Sequence, residues 1–140
     1  MPLAVPITYL PDRTTSVLLR ELERIAAKYR SRVAEDSSYM LMPKTQWAVA
    51  SHFEREKKWK EAIEAYSKAG LRVIRHRRAS EGLLRASYLA HRELKDLGVT
   101  KRLLKHLIDH YPDAISTEKA KRIMKTLEEG ALPGLGGSVL

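Results

Sequence analysis

Cysteine is absent from the 140-residue chain, which excludes a disulfide framework, thiolate zinc sites and cysteine nucleophiles. Asparagine is absent as well. No apolar run approaches the roughly 18 residues that a membrane-spanning helix needs. Aromatic residues are few, at 6%, and most of the 7 glycines and 6 prolines lie toward the two ends, which leaves a long middle almost free of helix breakers. No segment alternates with period two for long enough to argue a strand, so the expected class is all-α. Met1 to Pro11 is apolar but has no basic lead-in and carries three prolines, a poor secretory signal. Asp12, Glu21 and Glu23 do not suit a transit peptide. The expected location is the cytoplasm or an organelle matrix.

What is present reads as one helical domain. Pro2, Pro6 and Pro11 fix local backbone angles and remove donors, so residues 1–13 are expected to form an extended apolar arm. Thr14 or Thr15 would cap a first helix with Leu18, Leu22, Ile25 and Tyr29 on one face. Glu35 to Ser38 reads as a loop, with Pro43 leading into a second helix, about Lys44 to Lys57, that carries Trp47, Ala50 and Phe53. A third starts at Trp59, with Ala62, Ile63, Tyr66 and Ala69 inward and Gly70 as a possible terminator. A long fourth, about Arg78 to Leu97, has the stripe Leu83, Ala86, Ala90, Leu94 and Leu97, with Gly98 as its stop. A fifth from Thr100 carries Leu103, Leu104, Leu107 and Ile108 and ends at Tyr111-Pro112. A sixth from Ser116 or Thr117 carries Ala120, Ile123, Met124 and Leu127 and stops at Gly130. The domain would span 14–130, and 131–140 reads as a flexible Gly-rich tail.

Trp47, Ala50, Phe53, Trp59, Ala62-Ile63, Tyr66 and Ala69 follow one another at spacings that resemble a tetratricopeptide repeat. Small residues let the paired helices approach closely, and the aromatics fill the gaps between turns. Two positions depart from the family: Lys57 replaces the turn glycine, and Ile74 stands where a proline is expected. A second, more degenerate pair ends in Tyr111-Pro112, with Leu103-Leu104 in place of Ala-Ile. The resemblance implies helix pairs at about 44–74 and 78–112, a short antiparallel stack of about six helices capped by the first and the sixth. It also implies peptide or protein ligands, without supplying site residues. The Lys/Asn clamp that some members use for C-terminal carboxylates is unlike this asparagine-free chain.

The net charge of +9 predicts attraction to something acidic. Residues 71–106 hold ten bases against three acids and so carry +7 of it. The candidate binding residues are Arg72, Arg75, Arg77, Arg78, Arg85, Arg92, Lys95 and Arg102. Arg78, Arg85 and Arg92 recur every seven residues and form one stripe, expected opposite the Leu83/Ala90/Leu94 face and exposed. Such a stripe suits an acidic protein surface or a phosphate backbone.

Weaker motifs surround it. Arg77-Arg78-Ala79-Ser80 has the form of a basophilic kinase site, although Ser80 is equally explained as a helix cap. His106 and His110 share a helix face but have no third ligand, so no metal is expected. Ser138-Val139-Leu140 has a PDZ-ligand form that recurs by chance, and Gly134 to Ser138 lacks the Lys-Ser/Thr ending of a phosphate loop. No glycine-elbow serine, Ser/His/Asp set or pair of buried carboxylates stands out. The expectation is a non-catalytic protein-interaction or assembly subunit with no cofactor and no small-molecule substrate. The alternative is an RNA- or ribonucleoprotein-associated protein binding through the basic 71–106 surface.

Overall fold

A computed structural model describes the backbone of residues 4–130 and the side chains of residues 18–130. Residues 1–3 of the expected arm, the expected tail and Ser138-Val139-Leu140 lie outside the described residues. The protein is all-α: six helices and no strand among the described residues. No helix among them is long and apolar enough to cross a membrane.

The chain divides into two units, Met1–Tyr39 and Met40–Leu140, a boundary that falls inside the expected 14–130 domain. The first unit holds α1, Ala4–Glu35. Residues 4–13 are therefore helical rather than the extended arm expected from the prolines. Pro6 falls in the first turn, where amides have no intrahelical partner in any case. Only Pro11 gives up an interior bond, and a helix already nucleated downstream extends at little further entropic cost. Leu18, expected on the inward face, is exposed. Past Glu35, Asp36 accepts from the amide (3.0 Å) and hydroxyl (2.6 Å) of Ser38. The turn brings the Tyr39 ring to 6.1 Å from that of Tyr29.

The second unit contains α2 (Pro43–Arg55), α3 (Trp59–Leu71), α4 (Arg77–Arg92), α5 (Leu97–His110) and α6 (Ile115–Glu129). Each packs on its chain neighbours. In addition α4 touches both α2 and α6, and α3 touches α5. Pro43 opens α2 at its first turn, where its missing N–H costs nothing. Gly130, in the left-handed region at φ 60°, closes α6.

The first two turns of this unit share one device. Beyond α2 and α3, Lys58 and Ile74 donate backbone N–H groups to the carbonyls of Phe53 (2.9 Å) and Ala69 (3.3 Å), five residues back. This Schellman closure needs a left-handed residue just before the donor. Lys57 (φ 61°) and Val73 (φ 55°) fill that role, at about 1–2 kcal/mol each relative to glycine. Gly70 does not terminate α3, which runs through it to Leu71.

The α4–α5 junction also departs from expectation. α4 stops at Arg92, and the leucines expected on its stripe separate: Leu94 is half-buried in the turn, and Leu97 opens α5, exposed. Asp96 is the cause. Its carboxylate accepts from the Val99 amide at 3.0 Å, and its carbonyl accepts from the Thr100 hydroxyl at 2.8 Å, an N-cap that starts a new helix. Gly98 then sits in the first turn of α5 instead of stopping α4.

The core centres on α3 against α4. Ala62, Ala65, Ala69, Ala79, Ala86 and Ala90 are buried, and two glycines mark the closest approach. A Cβ on Gly82 would overlap the Tyr66 carbonyl oxygen, and one on Gly70 would collide with the Leu83 side chain and the Ala79 carbonyl. By contrast, a Cβ on Gly98 would meet only ordinary contact at 3.5 Å. Gly82→Ala is expected to lower the unfolding free energy by about 2 kcal/mol, although alanine favours helix by about 1 kcal/mol. Gly98→Ala is expected to raise it by about 0.5 kcal/mol. Urea denaturation of the two variants measures both, and equal effects would contradict the close packing.

Candidate interaction site

Two of the three arginines of the α4 stripe, Arg78 and Arg85, are half-buried. α4 has neighbours on most of its circumference, with Ala79, Ser80, Gly82, Leu83, Leu84, Ala86, Ser87, Leu89 and Ala90 all buried, so positions 78 and 85 meet α2. The expected exposure of the stripe is corrected for these two residues. The Arg78 guanidinium lies 4.4 Å from the centroid of the Trp47 ring and donates to Glu81 at 3.0 Å. Arg85 donates through two nitrogens to the two oxygens of Glu54, one bond at 3.1 Å. Arg92 is exposed and acts on Glu54 through its charge. The step from Trp47 to Glu54 on α2 equals the step from Arg78 to Arg85 on α4. Two helices in register thus pair aromatic with cation at one level and carboxylate with cation two turns on.

Tyr66 of α3 joins this pair. Its hydroxyl donates to Glu54 at 2.7 Å, so the Ser51 hydroxyl, 2.9 Å away, acts as donor to Tyr66. The Tyr66 and Trp47 rings meet edge to face at 4.8 Å. Burial opposes ionisation of Glu54, but the hydrogen bonds from Arg85 and Tyr66, with the charges of Arg85 and Arg92, hold its carboxyl below the usual range. Burial, aided by the Glu54 carboxylate, pushes Tyr66 up to about 12. Trp47, Ser51, Glu54, Arg55, Lys57, Trp59, Tyr66 and Arg85 together line a hollow of about 510 Å³. Trp47 and Trp59 are half-buried on its wall, and Arg55 and Lys57 are exposed.

The other expected binding residues lie elsewhere. Arg75 and Arg77, both exposed, line a second hollow of about 600 Å³ between the α3–α4 and α5–α6 turns. Arg102 lines a groove of about 540 Å³ between α3 and α5. Arg72 follows α3, and Lys95 occupies the α4–α5 turn at φ 54°. The eight residues therefore spread over several faces.

Ser80 is buried and donates to the Arg77 carbonyl at 3.1 Å, which removes it as an accessible kinase target. The His106 and His110 rings lie 4.2 Å apart, tilted by 41°. The Gly70 carbonyl takes the His106 Nε2 contact at 3.2 Å and a bond from the Tyr111 hydroxyl at 2.9 Å, so Nε2 carries a proton. Among the described residues no group of three or more His, Asp or Glu is placed to hold a metal.

Glu54, Ser51, Arg55 and Lys57 were not among the residues expected from the sequence. The signal that could have found the first two is the 47–51–54 spacing on α2, one helical face that ends in a lone carboxylate.

Glu54 titrates below its ordinary value of 4.5 in the folded state, so it stabilises the fold above that pH and the contribution is lost as pH falls through the folded value. Burial first, then the charges of Lys95 and His110 respectively, lower His91 and His106 from 6.5. These residues stabilise the fold while neutral, and that contribution fades as pH falls below 6.5. Thermal midpoints are therefore expected to drop in two stages on acidification. Glu54→Gln should remove the lower stage and cost about 1–2 kcal/mol at neutral pH, given the partial exposure of the pair. An unchanged acid limb in that variant would refute the assignment.

No protein-family model, curated protein or solved structure matches the chain. The chemistry of the hollow therefore stands on this chain's own side chains.

Proposed function

We propose that the protein is a non-catalytic interaction module, built as a short tetratricopeptide-like stack, that receives an acidic segment of a protein partner in the hollow between Trp47, Trp59 and Arg85. The observation that carries this reading is the composition of that hollow. Two half-buried tryptophans and a tyrosine stand beside the exposed cations Arg55 and Lys57. Tryptophan, tyrosine and arginine dominate the energetics of protein interfaces because they present large rigid area with a polar handle. The only carboxylate in the hollow is already satisfied by Arg85 and Tyr66, so an incoming acidic group meets cations rather than a free like charge.

The residues that carry the repeat resemblance serve as packing here: Ala50, Phe53, Ala62, Tyr66 and Ala69 are buried. They position the hollow and leave recognition to the residues on its wall. The spread of the basic residues argues for this reading over a nucleic acid. A phosphate track needs several uncommitted cations in one line, whereas Arg78 and Arg85 are committed to Glu81, Trp47 and Glu54. The module as read needs no cofactor.

The test is affinity capture with the tagged chain, with and without nuclease, alongside the Arg55→Glu/Lys57→Glu double variant. Capture of a protein is expected to survive nuclease, to fall by about tenfold or more in the variant, and to depend only moderately on salt. Nuclease-sensitive capture with a steep salt slope would favour RNA instead. Capture indifferent to the variant would remove the hollow from the function.

A further inference from the structure

We propose a second docking groove between α3 and α5, one that takes an amphipathic helix bearing acidic residues beside its apolar face, supplied by another protein. The groove of about 540 Å³ between α3 and α5 has an aliphatic floor that includes Ile63, Leu71, Val99 and Leu103. Leu71 ends α3 with 47% of its surface exposed, and Val99 is half-exposed. Large aliphatic side chains lining an open channel between two helices match the way an amphipathic helix lays its apolar residues into a groove.

The rim supplies the sign of the partner's charge. Arg102, Lys105, His106 and His110 border the floor, with Asp109 the one acid among the lining residues, and Asp109 already receives Lys105 at 3.0 Å. His110 also lines the adjoining hollow of about 600 Å³, which continues the channel past Val73 to Arg75 and Arg77. Arg75, Arg77, Arg102 and Lys105 thus give the two adjoining hollows four cationic side chains against two carboxylates, Asp109 and Asp113. Three of the residues named, Arg75, Arg77 and Arg102, belong to the basic set expected from the sequence. The floor between α3 and α5 is aliphatic, which suits the apolar face of a peptide helix.

Val73 adds a reason to single out this path. It is β-branched yet holds φ 55°, a region that such residues rarely adopt, and 44% of its surface is exposed at the end of the channel. The Schellman closure keeps that apolar side chain fixed beside the cations without burying it in the core.

A fluorescein-labelled peptide of about 15 residues, with leucine at helical spacing and glutamate elsewhere, serves as the probe. Two controls accompany it: lysine for every glutamate, and serine for every leucine. Fluorescence anisotropy with the full chain at physiological salt should show binding of the acidic probe, with both controls weaker by about tenfold or more. Leu71→Asp and Arg102→Glu, both at exposed positions and checked for helicity by circular dichroism, should each weaken the acidic probe by about tenfold or more, whereas Arg55→Glu/Lys57→Glu should leave it unchanged. Equal binding of the serine control would reduce the effect to net charge and overturn the groove. So would failure of the acidic probe to bind, equal binding of the lysine control, or loss with the Arg55/Lys57 variant while Leu71→Asp and Arg102→Glu still bind. Because the Arg55/Lys57 variant tests the other face, the two sites stand or fall separately.

Discussion

Tyr66 is the residue on which the second unit turns. Its carbonyl oxygen occupies the space that a Cβ on Gly82 would need, so α3 and α4 touch backbone to backbone. Its hydroxyl donates to Glu54 of α2, and its ring edge meets Trp47. One residue thus ties three helices, α2 through its side chain and α4 through its backbone. Close approach is possible only because glycine and alanine line the facing sides of α3 and α4. Once the approach is made, Arg85 is carried to the carboxylate it pairs with, and Arg78 to the face of Trp47.

That geometry changes what the positive charge means. A net charge of +9 suggests a surface awaiting an acidic partner, yet two of the most regularly spaced arginines serve first as internal fasteners between α2 and α4. A half-buried pair of this kind contributes modestly to stability, because desolvation offsets much of the attraction. Its larger effect is on register: displacement by one turn would leave Glu54 without its guanidinium and Trp47 without its cation. Some of the exposed cations border the Trp47–Trp59 hollow and the α3–α5 channel, and each of these combines charge with apolar area instead of presenting charge alone.

The turns show a related economy. The positions that would most favour glycine carry Lys57 and Val73 in the left-handed region, while Gly70 and Gly82 are kept inside helices, where they destabilise locally by about 1 kcal/mol each. The inversion has a physical logic. A left-handed side chain at a turn costs a little and leaves a group at the surface, whereas a Cβ at position 70 or 82 would force α3 and α4 apart along their whole contact.

The helical class, the sites of α2, α3 and α6, and most of the buried residues were legible from composition and from the 3.6-residue period, because those signals are local. Leu83, Leu103, Leu104, Leu107, Ala120 and Ile123 are buried as their spacing implies. Three things were not legible from period alone. The place of the α4–α5 break, after Arg92 rather than at Gly98, is hidden because the apolar stripe runs on through Leu94 to Leu97. The α1 backbone runs through prolines that propensity treats as breakers. The orientation of the arginine stripe depends on how many neighbours α4 has, and a helical projection assumes one buried face and one wet face. The sequence by itself determined that the chain is helical, where most of its apolar surface lies and what its charge is. Only tertiary structure decided which charges are committed to Glu54 and Trp47, since that depends on contacts between residues 31 apart in the chain and not on any local pattern.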